Sequence, residues 1–356
     1  MEKIALKTMI LDILSREPGH AMSISELAKK IERSYGTAYY ANTYKNVRNL
    51  LAHGSITRQR SGRSSLVALN FANYLTVDSL AEMELARKHH LLEMRPGLMM
   101  LLADIDERFK DSSFIRSMSL VNPERNMRLN RMELLIILQN LSESRDPRNA
   151  LLKMHSDART FQKKHNTRID ALILSKDELL ALLQSSDINP VKEMLSNKIA
   201  FFHPQTFWTD MQDALERGIQ VRTRESETHP ARIPKDDLVY NLTRFGYKEI
   251  GTKIVQGKDI CIEYIVTSIL MKNDARRINS IPIILAKNNS NYNLLVFLSQ
   301  KYGVSNRMLG LLKVLNRIRP SEEVQLAIGI LETLQVTEIK ADEHAIREKM
   351  RLYGVA

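Results

Sequence analysis

Apolar positions in the opening segment recur at helical spacing. Leu6, Met9, Ile10, Ile13 and Leu14 share one face, and the run stops at Arg16-Glu17-Pro18-Gly19. A second helix is predicted to open at Ser23, with Glu26 three residues on in capping-box spacing. It carries Leu27, Ile31 and the charges of Lys29 and Lys30, and closes near Ser34-Tyr35-Gly36. A third runs from about Thr37 to His53 and stops at Gly54. Its apolar side, Tyr40, Tyr44, Val47, Leu50 and Leu51, is expected to pack on the first two helices. Two short strand-like runs follow over 55–69, around the turn Arg60-Ser61-Gly62-Arg63.

Residues 73–112 read as helical, interrupted at Pro96-Gly97. From Phe114 to about Arg222 apolar strands alternate with helices, an α/β signature. The predicted strands are 114–121, 132–138, 169–174 and 199–202, with helices over 149–164 and 176–183. Glu225 to Pro234 makes a boundary, and 235–356 is helical in pattern, with Leu309, Leu312 and Leu315 on a core stripe. The expected class is multidomain α+β, divided into 1–72, a helical connector over 73–112, an α/β domain over 113–224, and a helical domain over 235–356. No internal repeat is visible.

Composition narrows the function classes. The chain has 356 residues, 44% hydrophobic and 26% charged, with a formal charge of +11, which favours polyanionic partners without naming one. No run approaches the roughly 18 uninterrupted apolar residues of a membrane span; the longest candidate, Ile260 to Met271, is broken by Glu263. The single cysteine, Cys261, lies in that run and reads as a buried small hydrophobe. Met1-Glu2-Lys3-Ile4 carries no signal-peptide pattern, so a reducing cytoplasm is expected, with no membrane partner.

On the third helix Thr37, Ala41, Lys45 and Arg48 fall on one face with Asn42 beside them, and the hairpin adds Arg58, Arg60 and Arg63. Between Lys29 and Arg63 eight basic residues face one acid, Glu32. A helix of this kind fits a major groove, where Lys, Arg and Asn reach base edges or phosphates, and an arginine-bearing hairpin suits the backbone or minor groove. Over residues 1–72 the helix-helix-helix-hairpin order resembles winged helix-turn-helix domains. The resemblance implies double-stranded DNA as partner and, because such domains commonly work in pairs, a homodimer. The competing reading is a protein-contact module whose charges only solvate a face.

The central segment resembles minimal nucleotidyltransferase domains. In that family a strand leads into Gly-Ser, the next strand bears Asp-x-Asp, and a third acid lies on a later strand, together holding two divalent metals. Here Phe114-Ile115-Arg116-Ser117-Met118-Ser119-Leu120 ends in Val121-Asn122, and Arg131-Met132-Glu133 stands at the paired acids. Asp170, in Arg168-Ile169-Asp170-Ala171, stands at the third position. A bulky valine replaces the glycine and Arg131 replaces a metal ligand. The resemblance therefore implies a catalytically inactive, nucleotidyltransferase-like pseudoenzyme serving as scaffold or sensor, without cofactor. The alternative is an active divergent transferase using Glu133 and Asp170 with magnesium. Arg125, Arg128 and Arg131 remain a candidate phosphate dock or a solvated basic loop. The domain order is similar to that of archaeal proteins, and the overall expectation is a regulator of transcription, with a pure interaction scaffold as a third reading.

Two further features carry structural expectations. His89-His90 with Glu93 lacks a third zinc ligand nearby and reads as a partly exposed helical pair. Trp208 reads as core.

Overall fold

Ten residues of sequence, Leu6–Ser15, form α1. The computed structural model describes residues 4–36, 40–62, 64–123, 130–139, 147–249 and 256–356. After α1, the short strand β1 (Met22–Ser23) leads into α2 (Ile24–Tyr35), whose N-terminus is capped by the Ser23 hydroxyl accepting from the Glu26 amide at 3.1 Å. Gly36, at φ 73°, ends it. Then come α3 (Tyr40–Ala52) and the hairpin β2 (Ile56–Ser61) and β3 (Ser64–Leu69). These strands make an antiparallel sheet in the order β1-β3-β2, with Arg58 opposite Val67 and Arg60 opposite Ser65.

Two helices, α4 (Leu75–Met94) and α5 (Gly97–Phe109), flank Pro96. Strands β4 (Ile115–Val121) and β5 (Arg131–Leu138) follow, then α6 (Pro147–His165), β6 (Arg168–Ser175), α7 (Lys176–Gln184), α8 (Pro190–Ser196), β7 (Lys198–Phe202) and α9 (Pro204–Glu216). A reciprocal capping box between Ser175 and Glu178 starts α7 directly at the end of β6. The remaining chain is helical: α10 (Lys235–Arg244), α11 (Ile262–Lys272), α12 (Ala275–Ile278), α13 (Ile281–Lys287), α14 (Tyr292–Lys301), α15 (Ser305–Ile318), α16 (Glu322–Thr333) and α17 (Glu343–Leu352). The protein is thus mixed α/β and mostly helical, with two small sheets. Among the described residues no helix is long and apolar enough to cross a membrane.

The chain divides into two units, each discontinuous in sequence. The first comprises Met1–Asn140, Leu174–Ser185 and Val191–Glu225; the second comprises Leu141–Ile173, Ser186–Pro190 and Ser226–Ala356. The segment α6 and most of β6 therefore group with the C-terminal helices rather than with the strands they follow.

In the first unit three strands of the second sheet lie in the order β5-β4-β7, with β4 antiparallel to both neighbours. β4 and β5 bury nearly every side chain, which is why their sequences read as continuous apolar runs rather than alternating ones. α9 packs on β4, β7 and α4, with Phe207 and Trp208 fully enclosed. The Asp210 carboxylate on α9 accepts two 2.7 Å hydrogen bonds from Arg116 on β4 and lies 2.7 Å from the Lys176 ammonium of α7. α1 is buried beyond the expected stripe: Leu11 and Asp12 are enclosed too, because α4 packs against α1 in addition to α2 and α3.

The second unit is built on its apolar helix faces. Leu309, Leu312 and Leu315 are buried on α15, and α16 packs on α6, α14 and α15. Gly310 is where α15 meets the extended backbone at Ile339. The Ile339 amide donates to the Asn306 carbonyl at 3.0 Å, and a Cβ on Gly310 would collide with the Ile339 carbonyl oxygen. Cys261 is buried at the start of α11, where burial and the neighbouring Glu263 push its thiol well above the usual range.

Candidate nucleic-acid interface

The candidate interface begins with the face that α3 keeps in water. The helix buries Thr43, Val47 and Leu50, one stripe at i, i+4 and i+7. Ala41, Asn42, Lys45 and Arg48 are exposed, so three of the polar residues singled out by periodicity share the solvent side. Thr37 lies outside the described residues. The apolar side differs from expectation. Tyr40 and Tyr44 are 54% and 40% exposed instead of packed inside, and their rings stack with centroids 6.4 Å apart. The small Thr43 takes the inward position, which places both phenols at the edge of the face that carries Arg48.

β2 follows α3 almost without a linker. The Gly54 amide donates to Leu51 and the Ser55 amide to Leu50, turning the chain from helix to strand. The Gly54 carbonyl then accepts from the side chains of Asn70 at 2.8 Å and Asn73 at 3.1 Å, which fastens this corner to the region entering α4. Along β2, Arg58 and Arg60 are exposed at alternate positions and so leave the same face of the strand. Arg58 is partly anchored, donating from Nε at 3.0 Å and Nη2 at 2.7 Å to the Ser65 hydroxyl across the hairpin. Arg63 lies outside the described residues. No acid occurs in α3, β2 or β3, so the two basic surfaces form a uniformly cationic stretch suited to phosphates.

A buried charge network supports the helices behind this surface. The Asp12 carboxylate on α1 accepts from Arg16 Nη2 at 2.7 Å and from the Tyr35 hydroxyl at 2.7 Å, and lies 2.7 Å from Arg87 Nη1 on α4. Burial alone would raise the Asp12 carboxyl, but Arg87, Arg16 and the Tyr35 hydroxyl outweigh it and hold it below its ordinary value. Burial, then the Asp12 charge, raises the Tyr35 phenol. Further along α4, the fully buried Glu84 pairs with Lys198 of β7 and accepts from the Ala200 amide at 3.0 Å. The Lys198 ammonium also stands 4.1 Å from the Phe207 ring centre and 4.4 Å from that of Trp208. Sequence periodicity does not flag Asp12, Glu84 or Arg87, because their partners come from other elements.

At the positions suggested by the nucleotidyltransferase resemblance, each acid has an arginine two residues away on its own strand. Glu133 lies 3.5 Å from Arg131, and Asp170 lies 3.2 Å from Arg168. A guanidinium this close repels a second cation, so these side chains do not fit a two-metal centre. Among the described residues no group of three or more His, Cys, Asp or Glu side chains is placed to hold a metal ion. Asn122, standing for the family's glycine-serine turn, adopts a left-handed φ of 44°. Arg125 and Arg128 lie outside the described residues. His89 is exposed and His90 half-buried on α4.

Compared with protein-family models, curated proteins and solved structures, the chain has no match.

Proposed function

We propose that this chain is a DNA-binding protein, a regulator of transcription, whose segment from α1 to β3 is a winged helix-turn-helix. In this reading α3 enters the major groove with Asn42, Lys45 and Arg48, and Arg58 and Arg60 on the hairpin follow the phosphate backbone. The central strands are a nucleotidyltransferase-like domain without catalytic function, serving as scaffold or sensor, and a homodimer would match the two-fold symmetry of an operator. The observation that carries the reading is the exposed, acid-free face that Asn42, Lys45 and Arg48 share on α3, with Arg58 and Arg60 exposed on the strand that follows.

Double-stranded DNA is the partner to test. Lys45→Ala/Arg48→Ala is expected to weaken binding across duplexes of unrelated sequence and to lower the salt slope by about 2, one released counterion per lost cation. Fluorescence anisotropy over a salt series reads both effects. Duplex binding unchanged in that variant, with its circular dichroism intact, overturns the reading. The rival, a magnesium-dependent transferase working through Glu133 and Asp170, has Arg131 and Arg168 against it.

A further inference from the structure

A cleft of about 780 Å³ opens within the first unit, lined by the end of α1, the end of α2, the second half of α4 and the turn after β4. Its size suits a small organic ligand, since such pockets commonly measure ~300–1,000 Å³. Its chemistry is unbalanced. Among the described residues Arg16, Arg33, Arg87 and Arg95 line it, against a single acid, Glu225.

The four arginines fall into two pairs. Arg16 and Arg87 are already committed to Asp12, and Arg87 Nη1 also donates to the Lys198 carbonyl at 2.7 Å. They form a rigid cationic floor held by the buried network. Arg33 and Arg95 are exposed and engage no carboxylate among the described residues. Glu225 lies 3.4 Å from Lys30, which Glu17 also approaches at 3.4 Å. Arg16, Arg87 and Lys198 set against Asp12 and Glu84 leave a positive remainder, and Arg33 and Arg95 add to it. His90 also lines the cleft. Leu91, Met94 and Ile199 add apolar side chains to the lining.

We propose that this cleft is a binding site for a phosphorylated small molecule of nucleotide size. The planar forks of Arg33 and Arg95 take the phosphates bidentately, and Leu91, Met94 and Ile199 take a flat, less polar moiety. Neither Glu133 nor Asp170 lines the cleft, whereas Asn122, at the position of the resemblance's glycine-serine turn, does. The site stands independently of duplex binding, because Asn42, Lys45, Arg48, Arg58 and Arg60 take no part in it.

The test is calorimetric titration of the full chain with ATP and with inorganic pyrophosphate, both without metal, and with adenosine as the uncharged control. Wild type is expected to bind ATP and pyrophosphate, and adenosine more weakly than ATP. Arg33→Ala/Arg95→Ala should lose about tenfold or more in ATP affinity, as expected for two lost charge-assisted contacts. Both residues are exposed, and circular dichroism checks that the fold survives their removal. Lys45→Ala/Arg48→Ala should bind ATP as wild type does, which separates this site from the duplex surface. No heat with either anion at about 1 mM, or wild-type affinity in Arg33→Ala/Arg95→Ala, overturns the proposal. So does loss of duplex binding in that variant from a chain that never bound ATP, since the arginines would then serve the DNA.

Discussion

Gly54 combines two demands at one position. Its φ of 73° belongs to the left-handed region, and a Cβ there would come within 2.5 Å of the Asn73 side-chain nitrogen that donates to its own carbonyl. Gly54→Ala is therefore expected to cost ~1–3 kcal/mol of stability, read from urea unfolding. It should also weaken duplex binding, since this corner sets the angle between α3 and the hairpin. Much of the exposed face of α3 was legible at this scale. Asn42, Lys45 and Arg48 follow from helical spacing alone, because a helix with one buried stripe must leave the opposite residues in water. Tyr40 and Tyr44 were misread because an amphipathic tyrosine satisfies an apolar pattern whether or not it is buried, and Thr43 took the inward place.

At the scale of elements, α4 was the least legible helix. Its sequence suggested a connector, yet it contacts α1, α9 and β7 and buries Glu84 among them. A carboxylate in an enclosed position reads as solvent-facing until its partner is known, and Lys198 is supplied by a strand far along the chain. By contrast α2 and α7 were legible to within a residue or so, α2 because Ser23 announces its own cap. The cleft was invisible for the same reason as α4: no one element supplies more than part of it. Glu84→Gln leaves Lys198 without its acid inside the protein, and a loss of ~3 kcal/mol is expected from such an orphaned charge. A double-mutant cycle with Glu84→Leu and Lys198→Met tests the cause. The double variant should be more stable than the sum of the single losses allows, whereas simple additivity would show that the two side chains do not act together.

For the whole molecule, acid acts on the two units through different groups. In the second unit, His155 is buried, and burial pushes its imidazole down to about 4 from an ordinary 6.5. The unfolded chain then takes up the proton first as pH falls. Stability is fully present above about pH 6.5 and drains away towards pH 4, by up to ~3 kcal/mol. Arg159, Arg168 and Asp170 line the same small cavity as His155. Glu263, whose carboxyl burial raises, pulls the other way, so the informative quantity is the difference between wild type and His155→Leu. Denaturation midpoints measured from pH 7 to pH 4 should fall further for wild type than for His155→Leu; a constant gap would show that His155 does not titrate in this window. In the first unit Asp12, with its carboxyl held low, contributes stability that is lost only as pH falls below its ordinary 3.8.

The pairing of β4 with β7 also makes the first unit depend on sequence supplied late in the chain. In a chain that ends before β7, Glu84 lacks Lys198 and the edge of β4 that β7 covers is open. Such an edge invites pairing with other chains. The amino-terminal module is therefore not a detachable cassette: its first helix carries an acid whose countercharge sits on α4, and α4 is completed only when β7 arrives. A fragment that stops before Lys198 would keep Asn42, Lys45 and Arg48 and lose the partners of Glu84 and β4.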